Sequence, residues 1–379
     1  MQLTFLKTSR SNGCRTKQVK IMKTKIFCMM VLCTGLLIGC DKEPIIPEIP
    51  VKPPVEEPEE PEKPEKPDEP GEPEEPEEPE KPIEPGELPS TEKIINFNNE
   101  FMIVGADKNV WWSGIAYGNG KYVAVGNGVS NSGFITTSTD GENWSSIKTE
   151  GMKGWYNVAY GNGKFVVIGS ADGAYVTSSA DGENWSELIN LNMWVGYKRI
   201  IFGNGKFVVV SRSGIDKGSP IISSTDGMNW TDPVYTGGTY ATINDVAYGN
   251  GKFIAVGRTN SNVNFSITST DGRFWSAPNV IAGSNTANAI GYGNGKFVAG
   301  TMNGEITVST DGVNWSPIKV IQSGMQIMDI THGKGKFIMT GIVFNPVYGG
   351  YVSTSVDGEN WSEPQQVSNK PLSDICAMP

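Results

Sequence analysis

The chain has 379 residues, with 31 Lys and Arg against 41 Asp and Glu, a formal net charge of −10, one His and five Cys. A single His excludes nearly every His-based catalytic constellation, and what the cysteines can form depends on where they lie. The negative charge is unevenly placed, so its meaning depends on where it lies.

Residues before Cys40 carry seven Lys or Arg and no acid. Met22-Lys23-Thr24-Lys25 precedes an apolar run from Ile26 to Ile38, which ends Leu37-Ile38-Gly39-Cys40. A short basic stretch, an apolar stretch of this length and a small residue at the boundary describe a secretory signal over 1–39, with Met22 as the natural start. The run is too short to cross a bilayer comfortably. Leu-Ile-Gly-Cys resembles a bacterial lipobox, which implies cleavage before Cys40 and a diacylglycerol on its sulfur. The stretch after Cys40, to residue 90, is rich in Pro and Glu, with 19 acidic and 5 basic residues. Proline blocks helix and sheet and like charges repel, so 40–90 is expected to be a disordered linker. As an extended polyproline helix it would reach on the order of 100 Å. Asp41-Lys42-Glu43 with this tract resembles surface lipoproteins of the Bacteroides group, which implies an outer-membrane, surface-exposed location in the bacterial cell envelope.

Residues 91–379 hold 19 basic and 22 acidic residues, so this part is near neutral and nothing points to nucleic acid. Cys376 is its only cysteine. A unit recurs along it at a spacing of roughly 40–46 residues. Its fullest copy begins Ile115-Ala116-Tyr117-Gly118-Asn119-Gly120-Lys121-Tyr122-Val123-Ala124-Val125 and ends Ser138-Thr139-Asp140-Gly141-Glu142-Asn143-Trp144. Asn-Gly between two apolar runs is a strong hairpin signal, because a type I′ turn needs positive φ at both central residues. The second runs, such as Phe165-Val166-Val167-Ile168, are apolar on both faces, as in strands sandwiched between neighbouring sheets. The period is that of a four-stranded propeller blade, which cannot bury its own faces and must stack on neighbours.

Six copies are complete. A seventh first-strand element lies at Leu372-Ser373-Asp374-Ile375-Cys376, and Ile94-Ile95-Asn96-Phe97 and Phe101-Met102-Ile103-Val104 offer the rest of that blade. The sequence therefore predicts an all-β, seven-bladed propeller of four-stranded antiparallel blades over 91–379, closed by both termini. Six blades with a stray terminal strand is the alternative.

The Ser-x-Asp-Gly-x-x-Trp element resembles the Asp-box of bacterial neuraminidase (BNR) repeat proteins, one residue shorter than usual. Its residues are Asp140 and Trp144, Asp181 and Trp185, Asp226 and Trp230, Asp271 and Trp275, Asp311 and Trp315, and Asp357 and Trp361. The expected role is structural. Asp accepts backbone N–H groups, Gly supplies positive φ and Trp packs between blades. Calcium at these turns is disfavoured, since one carboxylate falls far short of its usual oxygen shell. The resemblance also raises a sialidase. Such enzymes clamp a carboxylate with three arginines, and a glycosidase needs two carboxylates across a cleft. Loop acids are sparse here, Asp216 being the clearest, so no catalytic residue is assigned and no cofactor or metal is expected.

Recognition is expected on the face opposite the tight turns, where the loops vary in length. Trp112, Trp155 and Trp194 approach the first strands and suit stacking on a sugar or a protein; the alternative is that they plug the rim between blades. Tyr235, Tyr240, Phe344 and Tyr348 follow on the same reasoning. Arg212 and Arg258 occupy equivalent loops of adjacent blades and suit an anion. Another column, Gly114, Asn157, Arg199, Asp245, Ala289, Asp329 and Asp374, is placed to line the central channel, where its three acids would hold a cation or bond backbone amides. His332 stands where other copies have Tyr or Phe and is expected to pack like them. The composite expectation is a monomeric lipoprotein displaying a non-catalytic propeller that binds a glycan or an envelope or host protein. A glycoside hydrolase and an assembly platform are the alternatives.

Overall fold

A computed structural model describes residues 94–106, 110–128, 132–145, 148–149, 154–170, 173–191, 196–212, 217–236 and 241–379. The secretory signal, Cys40 and the linker lie outside the described residues, as do Trp194, Asp216 and Tyr240. Every regular element described is a β-strand. Six four-stranded antiparallel sheets follow one another in chain order, and a three-stranded sheet completes the set. The inner strands of blades 1 to 6 are Val110–Gly118, Gly154–Gly161, Tyr197–Gly203, Thr242–Gly249, Ala287–Gly293 and Gln326–Gly333.

In blade 7 the C-terminal strand Leu372–Ala377 lies innermost and pairs with Phe101–Gly105, which pairs in turn with Ile94–Phe97. Leu372–Ala377 also touches the inner strands of blades 6 and 1, so the inner strands make contact around a full circle. The fold is a seven-bladed β-propeller, as the repeat and the stray terminal strand predicted. The last blade has three strands among the described residues.

Each interface between neighbouring blades holds its own apolar cluster, seven in all. Second strands supply much of it, since their residues are buried on both faces; Val166 and Ile168 of blade 2, for example, meet Ile200, Phe207 and Val209 of blade 3. The repeat tryptophans join these clusters, each against the preceding blade, as Trp230 does in the same cluster.

The tight turns bind the ring on the face away from the site. In Gly-Asn-Gly-Lys the Asn residues have φ of 46–48° and the following Gly 69–75°, the signature of type I′ turns. The amide of Asn162 then donates 2.8 Å to Thr225 O in the next blade, and Asn119, Asn204 and Asn294 do the same in theirs. The first Gly of the motif serves a different need. A Cβ on Gly161 would stand 2.0 Å from Cγ of Phe202, because the aromatic ring of the next inner strand lies against that backbone. His332 does this for Gly293 and sits 4.9 Å from the Phe337 ring, so it packs as its aromatic counterparts do. Burial lowers its pKa.

In each Ser-x-Asp-Gly turn the Asp Oδ1 accepts two backbone N–H groups, as Asp311 does from Val313 and Asn314 at 2.8 Å. Ser Oγ accepts the Gly N–H, as Ser309 does from Gly312 at 2.8 Å. These bonds hold all six carboxylates below the usual range.

Candidate functional site

The pairing of every inner strand slips by one residue near its start. Such a bulge re-aims one side chain out of the regular alternation. The displaced residues are Ser113, Tyr156 and Lys198 in blades 1 to 3, Asn244 and Asn288 in blades 4 and 5, and Met328 and Ser373 in blades 6 and 7. All seven line one funnel at the ring axis, a cavity of about 440 Å³. Trp111, Asn127, Tyr197 and Arg212 widen its wall, and Asn157, Arg199 and Asp245 reach its floor. The frame around these positions is repetitive, yet the side chains at them differ in size, polarity and charge.

The floor is the column expected in the channel. Its cation is Arg199, a member of the column itself. The guanidinium reaches Asp329 Oδ1 at 2.9 Å through Nη2 and Asp374 Oδ1 through Nη1, and its Nε lies 3.2 Å from Asp245 Oδ1. The second oxygen of each acid accepts a backbone N–H from a neighbouring blade. Asp245 takes Ile290 N–H at 2.8 Å, Asp329 takes Ile375 N–H at 2.9 Å and Asp374 takes Ile115 N–H at 2.9 Å. Asn157 continues the pattern, accepting from Ile200 N–H and donating to Asp374. The three acids are almost wholly buried. Burial raises the pKa of Asp245 and Asp329, against the pull of Arg199.

Lys198 stands above this floor, its Nζ donating 2.9 Å to Asn288 Oδ1. Burial is the main cause that lowers its pKa to about 8; Arg212 and Arg199 add to it, while Asp245 and Asp329 oppose it. Trp111 is 43% exposed, with its indole N–H held by Ser373 Oγ at 2.6 Å.

Several expected ligand residues lie elsewhere. Trp112 and Trp155 are 0% exposed, so neither offers a face to a ligand. They fill the interfaces of blade 1 with blades 7 and 2, because regular alternation turns them into the core. The exposed ring is their neighbour Trp111. Arg212 and Arg258 are not brought together at the funnel: Arg212 lines it, whereas Arg258 donates to Asn285 Oδ1 and Thr286 Oγ1 and is not part of the wall. Tyr235 belongs to the outer strand of blade 3, beneath the Lys217 ammonium, and is not part of the wall either. Phe344 and Tyr348 are exposed and contact each other on the loop of blade 6. Sequence reasoning missed the ring of bulged residues. Its only signal was that the residue just before the channel column changes character from copy to copy.

No protein-family model matches the chain, and no curated protein matches it. Solved structures do. YCF48 from Cyanidioschyzon merolae is 18% identical, with 72% of this chain and 90% of that one covered and a TM-score of 0.50. A structure of YCF48 bound to D1 peptide is 15% identical, with 71% and 85% covered and a TM-score of 0.50. At such identities the likeness is one of fold, and by that measure the chain is similar to YCF48 as a β-propeller.

Proposed function

We propose that this chain is a cell-envelope lipoprotein, anchored through Cys40, whose propeller is a non-catalytic recognition module that takes a saccharide into the axial funnel. The observation that carries this reading is the bulge ring: seven backbone-equivalent positions, holding five residue types, meet in one cavity. An aromatic wall with several side-chain amides suits a hydroxylated ring, which stacks on an indole and exchanges hydrogen bonds with amides. The non-catalytic part is supported by the state of the axial acids. Each is tied to Arg199 and to a backbone amide, so these three do not form a pair of carboxylates facing one another across open space. The recurring turn residues Asp140, Asp181 and their counterparts are engaged in their own turns, in keeping with the structural role of an Asp-box-like element.

A second reading is docking of a polypeptide, in envelope assembly or at a host surface. It is favoured by the similar structure described as bound to D1 peptide. A glycan array and a peptide array probed with the same protein separate the two. The first reading expects retention on saccharides that Trp111→Ala abolishes while the melting temperature holds. Retention on peptides alone would replace it with the second. Turnover of fluorogenic glycosides would overturn the non-catalytic reading.

A further inference from the structure

Resting on the reading of the funnel as a saccharide site, we propose that the saccharide it selects carries a carboxylate, as a uronic acid does, and that Lys198 and Arg212 seat that group. The funnel's charges fall into two layers. In the floor, Arg199 is matched by three acids, and every oxygen of those acids already has a partner. Above it, the neutral Asn288 side chain is the one hydrogen-bond partner of Lys198 among the described residues. The Arg212 guanidinium has no hydrogen bond or ion pair among the described residues; only its backbone N–H is engaged, with Gly196 O at 3.0 Å. Two cations on one wall oppose each other, and a bound anion relieves that opposition. Their geometry of many N–H donors also suits the two oxygens of a carboxylate.

The part of the funnel built by blades 1 and 7 has another chemistry. Trp111 presents an exposed indole whose edge is pinned by Ser373. Asn127 also lines the cavity and adds a side-chain amide, a group that exchanges hydrogen bonds with hydroxyls. A ligand that uses both walls has hydroxyl donors, a flat apolar face and a negative group. A pyranose carboxylate has all three. A neutral sugar leaves the cations unanswered, and a peptide chain end has no comparable face for the indole.

The test uses the full chain on an array of uronate-bearing glycans, the same glycans after reduction of the carboxyl to a primary alcohol, and peptides with free or amidated C-termini. Binding to the uronates is expected to drop at least about tenfold on reduction, the scale of one charge-assisted contact. Arg212→Gln should narrow the gap between acid and alcohol forms, and Lys198→Met with Arg212→Gln should close it. Because the Arg212 side chain makes no bond among the described residues, the single variant should keep the parent's melting temperature. Equal binding of acid and alcohol forms by the parent protein would refute the carboxylate and leave the saccharide reading standing. Binding to free C-termini alone, or no binding to any uronate, would refute this proposal, and the former would refute the saccharide reading with it.

Discussion

Arg199 links the inner strand of blade 3 to those of blades 4, 6 and 7 through one side chain. Removing it leaves three buried acids without their counter-ion, so Arg199→Met should cost about 3–5 kcal/mol, read as a fall in the urea midpoint. Arg199→Lys should recover little of this, because an ammonium is a point charge and cannot fork toward three carboxylates. Trp155→Ala should likewise lower stability by about 3–5 kcal/mol through the cavity it leaves, unlike the exposed Trp111. Lys198 gives a pH signature. It carries its charge below about 8 and loses it above, among the facing charges of Asp245, Asp329, Arg199 and Arg212. Uronate affinity measured by calorimetry should therefore weaken as pH rises through that value. The channel column was legible from spacing, and its acids were expected to hold a cation or bond backbone amides; they do the second and share the Arg199 guanidinium. What spacing alone did not convey is that the charge is supplied from within the column, since that depends on how far a long side chain reaches across the ring. The tryptophans were open between a ligand and the rim between blades, and the structure decides for packing at Trp112 and Trp155. Alternation along the strand turns Trp112 inward and Trp111 outward, and a pair of adjacent tryptophans does not show which of the two faces the core.

At the scale of the element, the two tight turns were the most legible feature, because Asn-Gly and Asp-Gly have narrow backbone requirements. Their glycines, however, act in different ways. Gly163 has φ +75° and open space around it, so Gly163→Ala pays only for the backbone, about 1–2 kcal/mol. Gly161 faces the Phe202 ring, and Gly161→Ala should cost about 3 kcal/mol or more as the ring is pushed from the next blade. Thermal unfolding of the two variants checks the order. The Asp turns set the acid limit of the fold. Their folded pKa values lie below the unfolded ones, so their stabilisation is present above about pH 4, the ordinary aspartate range, and is lost as pH falls below it. Asp245 and Asp329 have the opposite sign, since burial raises them, and do not contribute to that loss. Urea midpoints should hold from neutral pH to about pH 5 and decline steeply below about pH 4. That Asn also caps the turn of the following blade was not legible, because the partner lies some sixty residues away, as Asn162 and Thr225 do.

At the scale of the molecule, ring closure depends on a strand at each end of the described fold. Deleting Leu372–Pro379 would remove the inner strand of blade 7, the Asp374 contacts to Arg199 and Ile115, and one side of two interfaces. Such a truncation should lose cooperative unfolding by calorimetry, whereas removal of a single outer strand should not. The number of blades was readable because a solenoid of equal units leaves an unmatched fragment at each end, and the two fragments complement each other. The funnel was less readable. It is built from one displaced residue per blade, and no single copy of the repeat shows that the seven meet. The guanidinium at its base has a further consequence. Arg199 is tied to acids of three other blades, so the funnel has a braced polar floor. A long chain entering it would meet that floor with its tip or a side branch, so the module should discriminate between termini and be indifferent to the interior of whatever it grips.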